Sequence, residues 1–382
     1  MQRILVWDLP TRLFHWILAL SFAAAWLTSE SDVWLSLHVF VGYVMLGLLG
    51  FRLIWGFVGG HYARLAAFHF SPKAGLAYLR ESLAGRAVRH IGHNPAGSQA
   101  IYLLLALVLV IAISGILTLG GEEQHGVVAG WLDIKAASLF KDIHEAGATF
   151  MLFVVGGHIA AVLLESLLHK ENLARSMLTG TKLAPSGTTA SRPYPVMAVT
   201  LLLALAGFAL WWFSYALQGT VPAGIDAQRP TVAFVGAPLA KNALWNDECG
   251  SCHLSFHPSL LPARSWQALL SRQEQHFGAD LGLDSATTAT LLGYARNNAA
   301  DKQRTEAAFK IGASVPASAV PLRISETPYW VKKHRGVTAA EWALPWIKSR
   351  ANCEACHLDA QAATFEDGAM RIPRSAPAAK TL

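Results

Sequence analysis

The chain has 382 residues, of which 53% are hydrophobic and only 15% charged, with a formal net charge of +6. A soluble protein carries about 25% charged residues, so this composition excludes an ordinary soluble domain over most of the length and points to a membrane protein. The positive balance does not mark a nucleic-acid binder, because the basic residues sit in particular loops instead of one patch.

Five segments are long and apolar enough to be read as membrane crossings, which take roughly 20 helical residues. They run approximately 13–29, 37–58, 99–119, 144–168 and 195–217. The first is preceded by "VWDLPTRLFHW", too rich in Trp, Asp, Pro and His for a cleaved leader. Lysine and arginine set the orientation. Arg3 and Arg12 precede the first segment, and Arg64, Lys73, Arg80, Arg86 and Arg89 follow the second. Lys170, Arg175, Lys182 and Arg192 follow the fourth. The alternate loops carry Glu30 and Asp32, or balance Lys135 and Lys141 against Glu122, Glu123, Asp133 and Asp142. The N-terminus is therefore expected in the cytoplasm, and everything beyond about residue 218 on the far side, the periplasm in a Gram-negative bacterium. "FSPKAGLAYLRESLAG" reads as an amphipathic helix on the cytoplasmic surface.

Ionisable residues inside a membrane are costly and mark functional candidates. His15, His38, His144 and His158 lie in the crossings, and depth sorts them into pairs. His38 and His144 each open a segment at the outer face, whereas His15 opens the first segment at the inner face. His158 lies fourteen residues beyond His144, about 21 Å deeper and nearly four whole turns on, so both point from one helix face. The expected pairs are His38 with His144 and His15 with His158, each clamping one non-covalent haem b between two helices. Gly42, Gly147, Gly156 and Gly157 supply small residues nearby, and Arg52 is a candidate partner for a propionate unless it snorkels to the lipid headgroups. His61, His69, His90, His93, His125 and His169 fall in loops or at helix ends, with His90 and His93 candidates for proximity to a quinone or propionate.

The stretches "VWDLPTRLFHWILALSF", "HVFVGYVMLGLLGFRLIWGFVG", "GHNPAG" and "DIHEAGATFMLFVVGGHIAAV" resemble the four-helix, di-haem cytochrome b family that includes bacterial cytochrome b561 and the cytochrome b subunit of nickel–iron hydrogenases. That resemblance covers about 1–180, and its ligand pattern maps onto the same four histidines. The fifth segment and everything after it depart from the family.

Residues 218–240 read as a Gly-, Pro- and Ala-containing linker, and 241–382 as a small polar domain. "LDSATTATLLGYARNN" predicts a helix capped by Asp284 or Ser285, and "AEWALPWIKSR" predicts another. All four cysteines lie in this domain, as Cys249-Gly-Ser-Cys252-His253 and Cys353-Glu-Ala-Cys356-His357. C-x-x-C-H is the attachment signature of c-type haem: two thiols reach one porphyrin edge and the following His becomes the proximal ligand. A four-cysteine zinc site has its pairs ~15–20 residues apart, far closer than here. For the sixth ligands, His276 is expected to serve the first haem c and His334 the second, with His257 left as an alternative and Met370 the one methionine of the domain. "CGSCHLSFHPSLLPARSW", "HFGADLGLD", "PLRISETPYWVKKH" and "CEACH" resemble the dihaem cytochrome c family, whose bis-histidine haems imply the same distal pair without excluding His257.

The expected fold is all-α: a transmembrane four-helix di-haem bundle over 1–180, a cytoplasmic loop, fifth transmembrane helix and linker over 181–240, and an extracytoplasmic dihaem cytochrome c domain over 241–382. The expected cofactors are two haem b and two covalent haem c. The expected function is electron transfer between the quinone pool and a periplasmic redox protein, such as a small soluble cytochrome, from a bacterial inner membrane. No residue set resembles a nucleophile or an acid–base pair, so any enzymatic activity is of the quinol:cytochrome c type. Alternatives are a superoxide-to-quinone oxidoreductase, an electron-transfer subunit of a hydrogenase or reductase, and a haem-based redox or gas sensor.

Overall fold

The structure, a computed structural model, describes residues 1–30, 34–123, 126–129, 131–217, 238–366 and 369–370. His125, and all but the last three residues of the expected linker, lie outside the described residues. The chain divides into two compact units, Met1–Gly115 with Phe140–Tyr215, and Ile116–Leu139 with Ala216–Leu382.

Asp8 starts the first helix, α1 (Leu9–Thr28). Its carboxylate accepts the Thr11 N–H at 2.8 Å and lies 3.3 Å from Trp55 Nε1, so one cap also pins α1 to its neighbour. That neighbour is α2 (Leu35–Val58). The amphipathic surface stretch forms α3 (Pro72–Leu83), with Ser71 as N-cap and Pro72 at the first turn. Then come α4 (Pro95–Gly121), α5 (Ile134–Leu168) and α6 (Leu173–Thr179), and after them α7 (Pro195–Leu217). The fourth predicted segment begins ten residues earlier than expected, because Asp133 accepts the Ala136 N–H at 2.7 Å and caps a stretch of good helix formers.

Among the described residues four helices are long and apolar enough to cross a membrane: Leu35–Val58, Pro95–Gly121, Ile134–Leu168 and Pro195–Ser214. The first helix forms at 20 residues but is not among them, since Pro10, Thr11, Arg12 and His15 dilute its apolar character. α2 buries Val41, Val44, Met45, Leu48, Leu49, Arg52 and Trp55, a 3–4-residue stripe, and turns Leu53, Ile54 and Phe57 outward. Helices that are apolar on their outer faces as well have lipid, not water, as their natural solvent. Phe14, Val44, Leu48 and Leu201 knit α1, α2 and α7, while Met45, Leu49, Val108 and Met151 knit α2, α4 and α5.

A two-stranded antiparallel sheet joins β1 (Gln2–Leu5) to β2 (Thr181–Ala184), an addition to the all-α expectation. Nothing local announces a pairing between segments about 180 residues apart. Gly180 makes it possible: its φ of +81° caps α6, and a Cβ there would sit 2.6 Å from the Trp7 carbonyl.

In the second unit α8 (Ala243–Cys249), α9 (Ala263–Ser271) and α10 (Ser285–Asn298) pack around Trp245, Leu261, Trp266 and Leu291. Asp284 caps α10, as expected, through the Ala286 and Thr287 N–H groups. Then follow α11 (Glu306–Ser314), α12 (Pro328–His334) and α13 (Ala339–Trp342). The helix predicted over "AEWALPWIKSR" is cut to the single turn of α13. Thr338 and Glu341 close a capping box at its start, and Pro345 prevents its continuation.

Candidate functional site

The histidines singled out in the sequence meet in pairs. His15 on α1 and His158 on α5 have ring centres 6.4 Å apart. His38 on α2 and His144 on α5 are 5.9 Å apart. In the second unit His253 meets His276 at 6.3 Å, and His334 meets His357 at 6.1 Å. An imidazole nitrogen lies about 2 Å from a bound first-row metal ion, and the ring centre about 1.1 Å further. Two imidazoles on opposite sides of one iron are therefore about 6 Å apart, and all four pairs have this spacing.

The ring orientations carry the same chemistry. His38 Nδ1 donates to the Ala25 carbonyl at 2.9 Å and His144 Nδ1 to the Ile111 carbonyl at 2.8 Å. His334 Nδ1 donates to the Trp330 carbonyl at 2.8 Å and His253 Nδ1 to that of Leu254 at 2.7 Å. A proton held on Nδ1 by a carbonyl leaves the Nε2 lone pair for a metal, the arrangement of ligating histidines generally. His15, His276 and His357 instead keep a buried Nδ1 without a hydrogen-bond partner. Burial, then the neighbouring His253, lowers the pKa of His276. Burial pushes His357 down to about 4 against the opposing pull of Asp359. Both are neutral at pH 7, as a ligand must be.

The alternative ligand His257 is occupied otherwise. Its Nδ1 accepts the Ser259 N–H at 3.1 Å and its Nε2 donates to the Ala240 carbonyl at 3.2 Å, which caps the short "PSL" turn. Met370 meets the second motif through its backbone, in an isolated bridge with His357. None of the four cysteines is in a disulfide. Among the described residues no three His, Cys, Asp or Glu side chains converge on a point that could hold a metal ion. Paired imidazoles, with two cysteines just before one member of each C-terminal pair in the sequence, fit haem and not a tetrahedral thiolate zinc. Burial, with Glu248 close by, pushes the Cys249 thiol up to about 11.

Space near the pairs is mixed. A Cβ at Gly42, Gly156 or Gly157 would meet nothing within 4 Å, whereas at Gly147 it would touch Ile111 at 3.2 Å. Gly147 therefore serves helix packing. Sequence reasoning missed Gly115 on α4, where a Cβ would lie 2.9 Å from His144 Cε1 and 3.0 Å from Nδ1. The helix without a histidine thus contributes a glycine that admits the ring and a carbonyl that orients it. A small residue inside an apolar helix was the available signal. Trp330, stacked on the His334 ring at 4.0 Å, was also missed.

Arg52 does not snorkel: it is 4% exposed, lies 5.4 Å over the Phe68 ring and leaves Nη1 without a hydrogen-bond partner. A buried cation with an open donor suits a carboxylate such as a propionate. His93 packs between Trp7 at 4.7 Å and Phe68 at 4.5 Å, and burial, with Arg52 and Lys182 adding to it, pushes it down to about 3. His90 donates to the Val88 carbonyl at 2.9 Å and lies edge-on to Tyr78. Nearby, Glu165 accepts from Tyr78 Oη at 3.0 Å and Ser82 Oγ at 2.8 Å, and its carboxylate lies 3.2 Å from His169 Nε2. These contacts moor α3 to α5.

Known proteins match the chain in two separate stretches. The prokaryotic cytochrome b561 family matches residues 6–180, and the dihaem cytochrome c family matches residues 245–365. The probable Ni/Fe-hydrogenase B-type cytochrome subunit of Azotobacter vinelandii is 25% identical over 213 residues, 46% of this chain and 87% of that one. The probable Ni/Fe-hydrogenase 1 B-type cytochrome subunit of Escherichia coli K12 is 23% identical over 46% of this chain and 88% of its own. Among solved structures, the diheme cytochrome c from Rhodobacter sphaeroides is 35% identical over 34% of this chain and 100% of its own, with a TM-score of 0.30. The diheme cytochrome from Shewanella baltica OS155 is 28% identical over 36% of this chain and 96% of its own, with a TM-score of 0.29.

Proposed function

We infer that this chain, which belongs to the prokaryotic cytochrome b561 family over 6–180 and to the dihaem cytochrome c family over 245–365, passes electrons between the quinone pool and a periplasmic redox protein. It is a membrane electron-transfer protein that uses haem b and haem c. The observation that supports the finer reading is the common spacing of four histidine pairs, 5.9 to 6.4 Å between ring centres. His15 with His158 and His38 with His144 hold two haem b. His253 with His276 and His357 with His334 hold two haem c, attached through Cys249 and Cys252 and through Cys353 and Cys356. Haem supplies one-electron chemistry. The protein presents neutral imidazoles in fixed orientation, and Arg52 offers a buried cation to a propionate.

The domain plan follows from this: the di-haem b domain over 1–180, the connecting loop, membrane helix and linker over 181–240, and the dihaem c domain over 241–382. With α1 counted as a fifth crossing beside the four longer apolar helices, the basic loops favour a cytoplasmic N-terminus, with the c domain in the periplasm and the chain in a bacterial inner membrane. A C-terminal alkaline phosphatase fusion is then active, and an inactive one overturns the topology.

Anaerobic addition of a quinol to the purified protein, with the b and c absorption bands followed separately, tests the function. Reduction of both bands is expected, and b or c haem that stays oxidised sinks the quinone-to-c route. A second reading, an electron-transfer subunit of a separate hydrogenase, is favoured by the names of the relatives of the b region. Co-purification of a hydrogenase with the native protein would select it.

A further inference from the structure

The two C-terminal histidine pairs sit in opposite electrostatic surroundings. Flanking the His253/His276 pair, residues 244–256 and 271–281 hold Asp247, Glu248, Glu274 and Asp280 against Arg272, and the one further cation beside it, Arg323 over the Phe277 ring at 4.4 Å, is paired with Glu326 at 3.1 Å. Flanking the His334/His357 pair, residues 330–336 and 346–358 hold Lys332, Lys333, Arg335, Lys348 and Arg350 against Glu354 alone. All five of these cations are exposed. The neighbouring acids are engaged by their own chain: Glu354 accepts from Gln361 at 2.7 Å, Glu341 caps α13, and Asp359 accepts from Thr364 at 2.6 Å and from the Glu366 N–H at 2.8 Å. No ion pair joins Lys332, Arg335, Lys348 or Arg350 to an acid among the described residues.

Lys332 and Lys333 lie in the last turn of α12, where cations complement the helix C-terminus. Lys348 and Arg350 lie outside any helix and have no such role. Arg350 lies 5.6 Å over the Trp342 ring and 6.0 Å over the Trp330 ring. Trp330 in turn stacks on His334 at 4.0 Å. The charged rim is thereby continuous with an aromatic surface in contact with one ligand of the site. Tryptophan and arginine together are the usual anchors of a protein interface.

We propose that the His334/His357 site is where an acidic redox protein docks, guided by the cationic rim of Lys332, Arg335, Lys348 and Arg350. This rests on the reading of that site as a haem c site and names the partner's chemistry: a soluble one-electron carrier with a carboxylate-rich face. Like-charged carriers are repelled there, and the His253/His276 site lacks the field to attract the acidic one. Steering of this kind raises association rates by about 10- to 1,000-fold and weakens with salt.

The test uses the full-length protein in nanodiscs of zwitterionic lipid and two redox proteins of opposite charge. Reduced flavodoxin, which is acidic, loses one electron to each ferric c haem. Mitochondrial cytochrome c, which is basic, takes one electron from each ferrous c haem. Stopped-flow rates are compared between wild type and Lys332→Glu/Arg335→Glu/Lys348→Glu, with Lys332→Gln/Lys348→Gln as the milder variant, after both c haems are confirmed by their pyridine spectra. The expected result is a flavodoxin rate that falls about tenfold or more in the triple variant and also with added salt, while the cytochrome c rate does not fall. A flavodoxin rate unchanged in variants that retain both c haems overturns the proposal. Quinol reduction of the same nanodiscs is read separately, so failure of the quinone route leaves this result standing.

Discussion

The b and c regions build similar histidine pairs from very different chain geometry. In the b region the partners are over a hundred residues apart, His15 with His158 and His38 with His144, and meet only because three long helices pack side by side. In the c region each pair spans twenty-three residues, His253 to His276 and His334 to His357, with the cysteine motif first in one pair and last in the other. A group held only by packing needs its helices placed by every neighbour, down to a glycine. A group tied by two thioethers tolerates short turns and a small core. The N-terminal histidine pairs therefore depend on global assembly, and the C-terminal pairs on local chain.

The largest expected effect breaks the comparison at its covalent end. Cys353→Ser/Cys356→Ser should lower acid–acetone-resistant haem from two per chain to one and leave both extractable haems in place. Pyridine spectra before and after extraction measure it, and zinc instead of covalent haem in the unaltered protein would contradict the assignment. The next break is functional. His144→Ala should leave the His15/His158 site reducible by quinol while the c bands stay oxidised, and His158→Ala should stop both. Rapid c reduction in His158→Ala membranes that retain their other haems would exclude entry at the inner site.

A packing substitution sharpens the contrast. Gly115→Val drives a side chain into the His144 ring, where even a Cβ would lie at 2.9 Å. Overpacking of this kind costs about 1–3 kcal/mol. Extractable haem should fall toward one per chain with covalent haem unchanged, and two tightly held b haems in this variant would show that α4 does not govern the site.

The smallest effect is a pH dependence read in the b region. His93 is held at about 3 by burial, against about 6.5 in an unfolded chain. Below pH 6.5 the unfolded chain takes up a proton that the folded chain refuses, so stability falls as pH drops from 6.5 toward 3. At pH 5 the loss is about 2 kcal/mol. Thermal release of the extractable haems should come earlier at pH 5 than at pH 7, and His93→Asn should shrink that difference. Equal slopes in the variant and wild type would assign the effect elsewhere.

Short-range spacing was legible in the sequence. The apolar lengths of the helices, the fourteen-residue step from His144 to His158, the Asp284 cap and the two C-x-x-C-H motifs are properties of neighbouring residues, set by helix geometry and covalent reach. The family resemblances were legible for the same reason. Tertiary structure decided the rest. Only packing shows that Ala25 and Ile111 carbonyls orient His38 and His144, that Gly115 admits a ring from another helix, and that Arg52 turns inward beside Phe68. Only the folded turn shows both nitrogens of His257 taken by the backbone, and only the pairing of β1 with β2 shows a sheet in an otherwise helical chain. Each of these depends on groups that the chain brings together from a distance or on the way a turn closes, and neither leaves a period or a motif to read in advance.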